Sequence, residues 1–153
     1  MAPQMRIAEQ AEAGDAWLVA CSEQPSLVRE AWASKSLAAI ATGTKWLAVE
    51  AQLHTSYINL YRMREEHRGP LVADGKAGLA WWLVPLDAAE ELADVQALQV
   101  QRAGWLLHCP PTERIIADRM WLRGPDGSGL LNDPTVLAAA FDPGGYRLTA
   151  EAS

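Results

Sequence analysis

Apolar residues along this chain fall into short runs separated by glycine, proline and polar residues, and the spacing within each run predicts its local structure. The run Leu79–Val84 is apolar at every position, which is typical of a central strand covered on both faces. It follows an apolar run at 71–73 and the turn signal Asp74-Gly75, so the two runs predict a β-hairpin. Two further strands with a tight connection are predicted at 37–41 and 45–51.

Helical spacing predicts two amphipathic helices in the first half of the chain. One begins at Pro25-Ser26, and its apolar face is formed by Leu27, Val28, Ala31 and Trp32. The other is ended by Gly69-Pro70, and its face is formed by Leu53, Tyr57, Leu60, Tyr61 and Arg64. Both helices are therefore expected to bury these faces against a sheet.

Capping residues predict two more helices in the second half. Asp87 with Glu90 three residues later matches a capping box. Asp133 is the natural N-cap of a helix that has Pro134 at its first position, where the missing N–H costs nothing. Between them, residues 95–100, 105–109, 115–116 and 120–122 supply the remaining predicted strands.

The order of these elements indicates an α+β fold, with a mostly antiparallel or mixed sheet flanked by helices. A chain of 153 residues fits one domain, which we expect over residues 15–148. Residues 1–14 are small, polar and Ala-rich with Gly14 as a breaker, and predict a flexible or loosely helical segment. Residues 149–153 are expected to form a C-terminal tail.

Composition and charge narrow the classes of function. The net charge is −6 and the basic residues are scattered, so direct binding of duplex DNA is not expected. There is no apolar stretch of about 18 residues and no signal-peptide pattern, which predicts no membrane association. The two cysteines, Cys21 and Cys109, form no Cys-x-x-Cys pair; buried free thiols in a reducing cytoplasm are the expectation, with a disulfide left open.

The residues that carry chemistry are sparse. The three histidines lack ligand spacing, so no metal site is predicted. His108 and Cys109 are neighbours on a predicted strand and point to opposite faces, which favours a structural role for His108. The sequence Asp126-Gly127-Ser128-Gly129 is typical of a turn, with an anion-binding loop as the alternative.

Several segments resemble the N-terminal domain of bifunctional DNA primase/polymerase (prim-pol) proteins, especially short actinobacterial versions. They are residues 46–50 before a helix, residues 68–72, the strand 80–85 before an Ala-Ala-Glu-Glu-Leu helix, the glycine-to-double-proline segment 104–111, and Trp121-Leu122 with Pro125-Asp126-Gly127. The resemblance covers about two thirds of the chain. It implies the same α+β fold.

The resemblance also implies where catalytic groups would lie. Catalytic members use acidic pairs that hold two divalent metals for nucleotide transfer. The first pair is expected within 47–50, a histidine within 78–82, and a later acid within 98–102. Here these windows hold Glu50 alone, no histidine, and Gln99 with Gln101. The chain therefore resembles a degenerate prim-pol domain that has lost catalysis and needs no cofactor.

Two functional hypotheses follow. The first is a non-catalytic accessory or interaction protein that holds a nucleotide, a single strand or a protein partner in a tryptophan-rich groove. Its candidate binding residues are Trp81, Trp82, Trp105, Trp121, Glu50 and His108. The second is a small-molecule enzyme or ligand-binding protein that reuses the scaffold with a Trp-lined pocket. Its candidate groups are Glu50, His108, Cys109 and Asp126.

Overall fold

A computed structural model describes the backbone of residues 3–142 and side chains from residue 7 onward. In this part of the chain the α-helices are α1 (Pro3–Ala20), α2 (Pro25–Ala33), α3 (Leu53–Arg62), α4 (Ala89–Leu92) and α5 (Pro134–Phe141), with a 3-10 turn at Glu65–His67. The strands are β1 (Ala38–Ala41), β2 (Leu47–Gln52), β3 (Leu71–Asp74), β4 (Leu79–Val84), β5 (Gln99–Val100), β6 (Leu106–Cys109) and β7 (Arg119–Arg123). The expected C-terminal tail lies outside the described residues.

Five strands form an antiparallel sheet in the order β5-β2-β4-β3-β7, and β1 and β6 form a separate antiparallel pair. The predicted α+β class is confirmed. The predicted hairpin is also present, because β3 pairs with β4 across a turn in which Asp74 accepts hydrogen bonds from the backbone N–H groups of Lys76 and Ala77. Strand β4 lies at the centre of the sheet, as its unbroken apolar run predicted.

The two faces of β4 belong to two separate hydrophobic clusters. Trp81 and Leu83 point toward α1, α2 and the β1-β6 pair. Trp82 and Val84 point toward α3, α4 and α5. Because successive side chains of a strand alternate between faces, one six-residue run contributes to both layers of the core.

The two strands predicted at 37–41 and 45–51 are present as β1 and β2, joined by the short segment 42–46. They do not pair with each other, because both edges of β2 are taken by β4 and β5. Strand β1 pairs instead with β6, far along the chain. The segment between β1 and β2 therefore joins two different sheets.

Helix α3 differs from its prediction in its buried face and its end. Its buried residues are Ser56, Asn59 and Leu60, whereas Tyr57 and Tyr61 are 52% and 63% exposed. The polar face is buried because the Ser56 hydroxyl accepts a hydrogen bond from the Trp82 indole at 3.1 Å. The helix ends at Arg62, before Gly69-Pro70.

One predicted cap is confirmed and one is wrong. The Asp133 carboxylate accepts hydrogen bonds from the backbone N–H groups of Thr135 and Val136, and Pro134 is the first residue of α5. Helix α4 instead begins after Ala88 with no side-chain cap, so Asp87 does not cap it.

Gly14 is not a helix breaker but a point of close packing. It lies inside α1 and is buried, and a methyl group there would overlap the carbonyl group of Pro125. The expected segment boundary after residue 14 therefore falls within a continuous helix.

We expect Gly14→Ala to lower the free energy of unfolding by about 1–3 kcal/mol, the usual range for overpacking. Helix propensity alone predicts the opposite sign, a gain of about 1 kcal/mol. Urea unfolding followed by circular dichroism measures the change. The control is Glu12→Ala on the exposed side of α1, and a stabilised Gly14→Ala variant would contradict the close packing.

Candidate functional site

A polar patch interrupts the apolar face of the sheet that carries Trp81. Ala48 and Glu50 share this face of β2, and Glu50 lies directly opposite Trp81 on β4 and Gln99 on β5. Ala48 is fully buried, whereas Glu50 is half-buried. The patch thus begins where the cover of the sheet ends, and we call Glu50, Trp81, Gln101 and Trp105 the Glu50 patch.

The Glu50 carboxylate uses one of its oxygens within the fold. The Trp81 indole Nε1–H donates to Oε1 at 3.1 Å, and the Gln101 amide Nε2–H donates to the same oxygen at 3.3 Å. Among the described residues, Oε2 accepts no hydrogen bond, and no basic nitrogen lies within 4.0 Å of the carboxylate. Glu50 is therefore a fixed carboxylate with unused acceptor capacity and no neutralising partner.

Trp105 provides the aromatic surface of the patch. Its ring is half-buried and lies 6.2 Å from the Trp81 ring between centroids, with a tilt of 32°. The buried Thr42 holds its backbone in place, because the Thr42 hydroxyl and N–H both donate to the Trp105 carbonyl at 2.9 Å. The exposed part of the indole therefore sits on a well-anchored loop.

Arg119 lies over the ring of Trp81. Its guanidinium carbon lies 4.4 Å from the centre of the Trp81 ring, which is a cation–π contact. Its Nε lies 3.0 Å from the Asp74 carboxylate, and its Nη1 donates to the His108 carbonyl at 2.8 Å. The Ala77 N–H and the Arg119 guanidinium hold the pKa of Asp74 below its usual value. Asp74 therefore neutralises Arg119, which leaves the charge of Glu50 uncompensated.

The predicted binding residues come together only in part. Glu50, Trp81 and Trp105 form one patch, but the four candidate tryptophans do not line a single groove in the described part of the chain. Trp82 lies on the opposite face of the sheet, and Trp121 is buried with its indole N–H donating to the Pro110 carbonyl at 2.8 Å. Their rings are enclosed in the core, where no base can stack on them.

The sequence favoured a structural role for His108. Its side chain is exposed on β6, on the face opposite to the buried Cys109. Its backbone carbonyl accepts a hydrogen bond from Arg119, the residue that lies over Trp81. The alternation of the strand, which the sequence predicted, places the two neighbours on opposite sides.

Three residues that shape the surroundings of the Glu50 patch, Gln101, Asp74 and Arg119, are not indicated by the sequence patterns. The patterns mark Gln101 only as the absence of an acid and Asp74 only as part of a turn. Asp74 and Arg119 meet because β3 and β7 place them in register. Local patterns do not encode the pairing of distant strands, so this contact had no signal in the sequence.

The groups proposed for small-molecule catalysis are not joined to one another. The Cys109 thiol is buried, contacts the Leu107 carbonyl at 3.6 Å, and has a raised pKa because burial disfavours the thiolate. Asp126 accepts a hydrogen bond from the Ser128 N–H, and Ser128 lowers its pKa. This contact lies within the predicted turn, so the Ser128 N–H already has a partner in the protein.

Two other features bear on ligands. A groove of about 640 Å³ lies between α3, the β3-β4 turn and β7, and is lined by Gln52, Leu53, His54, Tyr57, Ala77, Gly78, Leu79 and Leu122. It contains no tryptophan and none of the predicted catalytic groups.

Within residues 7–142, no three His, Cys, Asp or Glu side chains are grouped so that they could hold a metal ion. Both cysteines are free and buried, as expected.

Comparisons with known proteins add no relative. No protein-family model, curated protein or solved structure matches the chain. The prim-pol relationship therefore stays a prediction from the sequence segments named above. In the described part of the chain, no helix has both the length and the apolar character needed to cross a membrane.

Proposed function

We propose that this protein is a non-catalytic, prim-pol-like interaction domain and that the Glu50 patch is its binding site. The observation that carries the proposal is the half-buried Glu50 carboxylate, whose Oε1 is held by the Trp81 indole and the Gln101 amide while its Oε2 accepts no hydrogen bond among the described residues. The half-buried Trp105 packs against the same Trp81 ring, with centroids 6.2 Å apart. A partly desolvated carboxylate accepts charge-assisted hydrogen bonds worth about 1.5–3 kcal/mol each. Such a group on a rigid sheet is suited to holding a partner.

The prim-pol part of the proposal is supported by the closeness in the fold of three segments in which the resembled family has its catalytic residues. The resemblance expects an acid within 47–50, a histidine within 78–82 and a second acid within 98–102. In the fold these three windows meet at Glu50, Trp81 and Gln101, joined by two hydrogen bonds. The catalytic windows of the resembled family thus converge on one patch, with other side chains in two of them.

The same three residues support a loss of catalysis. A two-metal centre needs several carboxylates, and Gln101 supplies a neutral amide that donates to Glu50 instead. General acid–base catalysis needs a titratable group matched to its task, and neither Trp81 nor Gln101 titrates in the relevant range. These side chains satisfy Glu50 as a fixed acceptor rather than complete a reactive group.

The test is a titration followed by nuclear magnetic resonance of the indole N–H groups. The probes are GMP, ATP, a ten-residue oligothymidylate, and short peptides rich in arginine or in lysine. We expect at least one probe to shift the Trp81 and Trp105 signals and to leave Trp82, on the opposite face, unchanged. The Glu50→Gln variant should lose about tenfold in affinity, whereas the matched control Glu12→Gln on exposed α1 should keep it.

Two results would contradict the proposal. If no probe moves the Trp81 and Trp105 signals, the patch is not a binding site. If the protein incorporates nucleotides with Mn²⁺ and Glu50→Ala abolishes that activity, the domain is catalytic.

A further inference from the structure

We infer that the partner at the Glu50 patch is a basic protein segment that presents an arginine side chain. The inference rests on the proposed function, because it names the partner of that same site. The guanidinium group would lie against the exposed part of Trp105 and donate to Glu50 Oε2.

The charge of the patch selects a cation. Glu50 has no basic group within 4.0 Å among the described residues, and Asp74 already neutralises Arg119. The whole chain carries a net charge of −6, so its long-range field attracts basic partners and repels phosphates. A nucleotide or a single strand would bring further negative charge beside an uncompensated carboxylate.

The shape of the patch favours arginine over lysine. A flat guanidinium stacks on an indole and directs several N–H groups in one plane, whereas an ammonium is a point charge without a flat face. Glu50 Oε2 accepts no hydrogen bond from the described residues, and a carboxylate suits the forked donor of a guanidinium.

The fold already places two arginines over aromatic rings, and one of them also binds a carboxylate. Arg119 lies 4.4 Å from the Trp81 ring centre, and Arg68 lies 5.6 Å from that of Tyr61. In the first case the guanidinium combines the ring with a carboxylate, Asp74, at 3.0 Å. Trp105 and Glu50 both contact Trp81, one through its ring and the other through a hydrogen bond, and they provide the same two kinds of group, a ring and a carboxylate, for an arginine of a partner.

The experiment compares three peptides of identical length, acetyl-Gly-Ser-X-Gly-Ser-amide, where X is arginine, lysine or citrulline. Binding is followed by the indole N–H signals of Trp81 and Trp105 at low salt. We expect the arginine peptide to bind, the lysine peptide to bind about threefold to tenfold more weakly, and the neutral citrulline peptide to lose binding. The affinity should fall as salt is added.

Two variants separate the contributions. Glu50→Gln should weaken the arginine peptide about tenfold, and Trp105→Leu about threefold to tenfold, while Glu12→Gln should have no effect. Glu50→Gln preserves the shape of the side chain, and a dispersed amide spectrum confirms that each variant is folded. If Trp105→Leu unfolds, the citrulline comparison on the native protein still tests the inference.

The outcomes separate a failure of the arginine inference from a failure of the proposed function. If GMP or the oligothymidylate moves the two indole signals and the arginine peptide does not, the inference is wrong and the patch keeps its role with an anionic partner. If the arginine and citrulline peptides bind equally, the positive charge of the peptide does not contribute to the affinity, and the inference is also wrong. If none of the probes moves the signals, both the inference and the proposed function fail.

Discussion

Replacing Trp82 with alanine is expected to lower the free energy of unfolding by about 3–5 kcal/mol, the usual range for truncating a buried tryptophan. The side chain is fully buried at the centre of the sheet. Its ring packs edge-on against Phe141 of α5, with centroids 5.8 Å apart, and its indole N–H donates to Ser56 of α3. The substitution removes the contacts of this side chain with α3 and α5, which help to fix both helices to β4.

Urea unfolding followed by far-ultraviolet circular dichroism measures this loss. Trp82→Phe keeps the ring contact and loses the hydrogen bond to Ser56, so about 1–2 kcal/mol is expected. Trp105→Ala serves as the matched tryptophan control and should cost clearly less, because its side chain is only half-buried. Equal losses for Trp82→Ala and Trp105→Ala would show that burial in the α3–α5 layer does not set the stability.

Asn132→Ala is expected to cost about 2–3 kcal/mol, although it removes only a small polar side chain. Asn132 is fully buried, and its Oδ1 accepts from the Gly69 N–H at 2.7 Å. Its Nδ2 donates to the carbonyls of Pro70 and Leu83, both at 2.9 Å. Alanine would leave the Gly69 N–H without a partner inside the protein, and such a group costs about 1–3 kcal/mol.

A second substitution at the same position sharpens the test. Asn132→Asp keeps an acceptor for Gly69 but places a carboxylate against two carbonyl oxygens. We expect it to destabilise at neutral pH and to recover part of the loss as the pH falls, because burial raises the pKa of a carboxyl group and protonation restores one donor. A change below about 0.5 kcal/mol for Asn132→Ala would contradict the assigned role.

Elements defined by neighbouring residues could be predicted from the sequence. The hairpin of β3 and β4 follows from two apolar runs around Asp74-Gly75, and the start of α5 follows from Asp133 and Pro134. In each case the signal and the structure lie within a few residues. The central place of β4 was likewise predictable, because burial on both faces requires apolar residues at every position.

Elements defined by distant partners could not be predicted. The pairing of β1 with β6 depends on which edges remain open after β2 has paired twice. The buried polar face of α3 depends on the need of the Trp82 indole for an acceptor, which amphipathic spacing does not register. Tertiary hydrogen bonding therefore overrode the apolar pattern that placed Tyr57 and Tyr61 inside.

The candidate site shows the same division. Glu50 was identified as the one acid in its window, and Trp81 and Trp105 as candidate binding residues. Two further contacts depend on strand register and loop position: Gln101 donates to Glu50, and Asp74 pairs with Arg119, which is then not available to neutralise Glu50. The sequence thus supplied the central groups, while the fold supplied the charge balance from which we infer a cationic partner.

The two buried thiols can report the order in which parts of this protein unfold. Cys21 directly follows α1, and Cys109 lies in β6 with no exposed surface. Burial raises the pKa of both thiols, so neither reacts readily until its surroundings separate. The relative rates at which an alkylating reagent labels them would tell whether the first helix lifts away before the sheet parts, or whether the molecule opens in a single event.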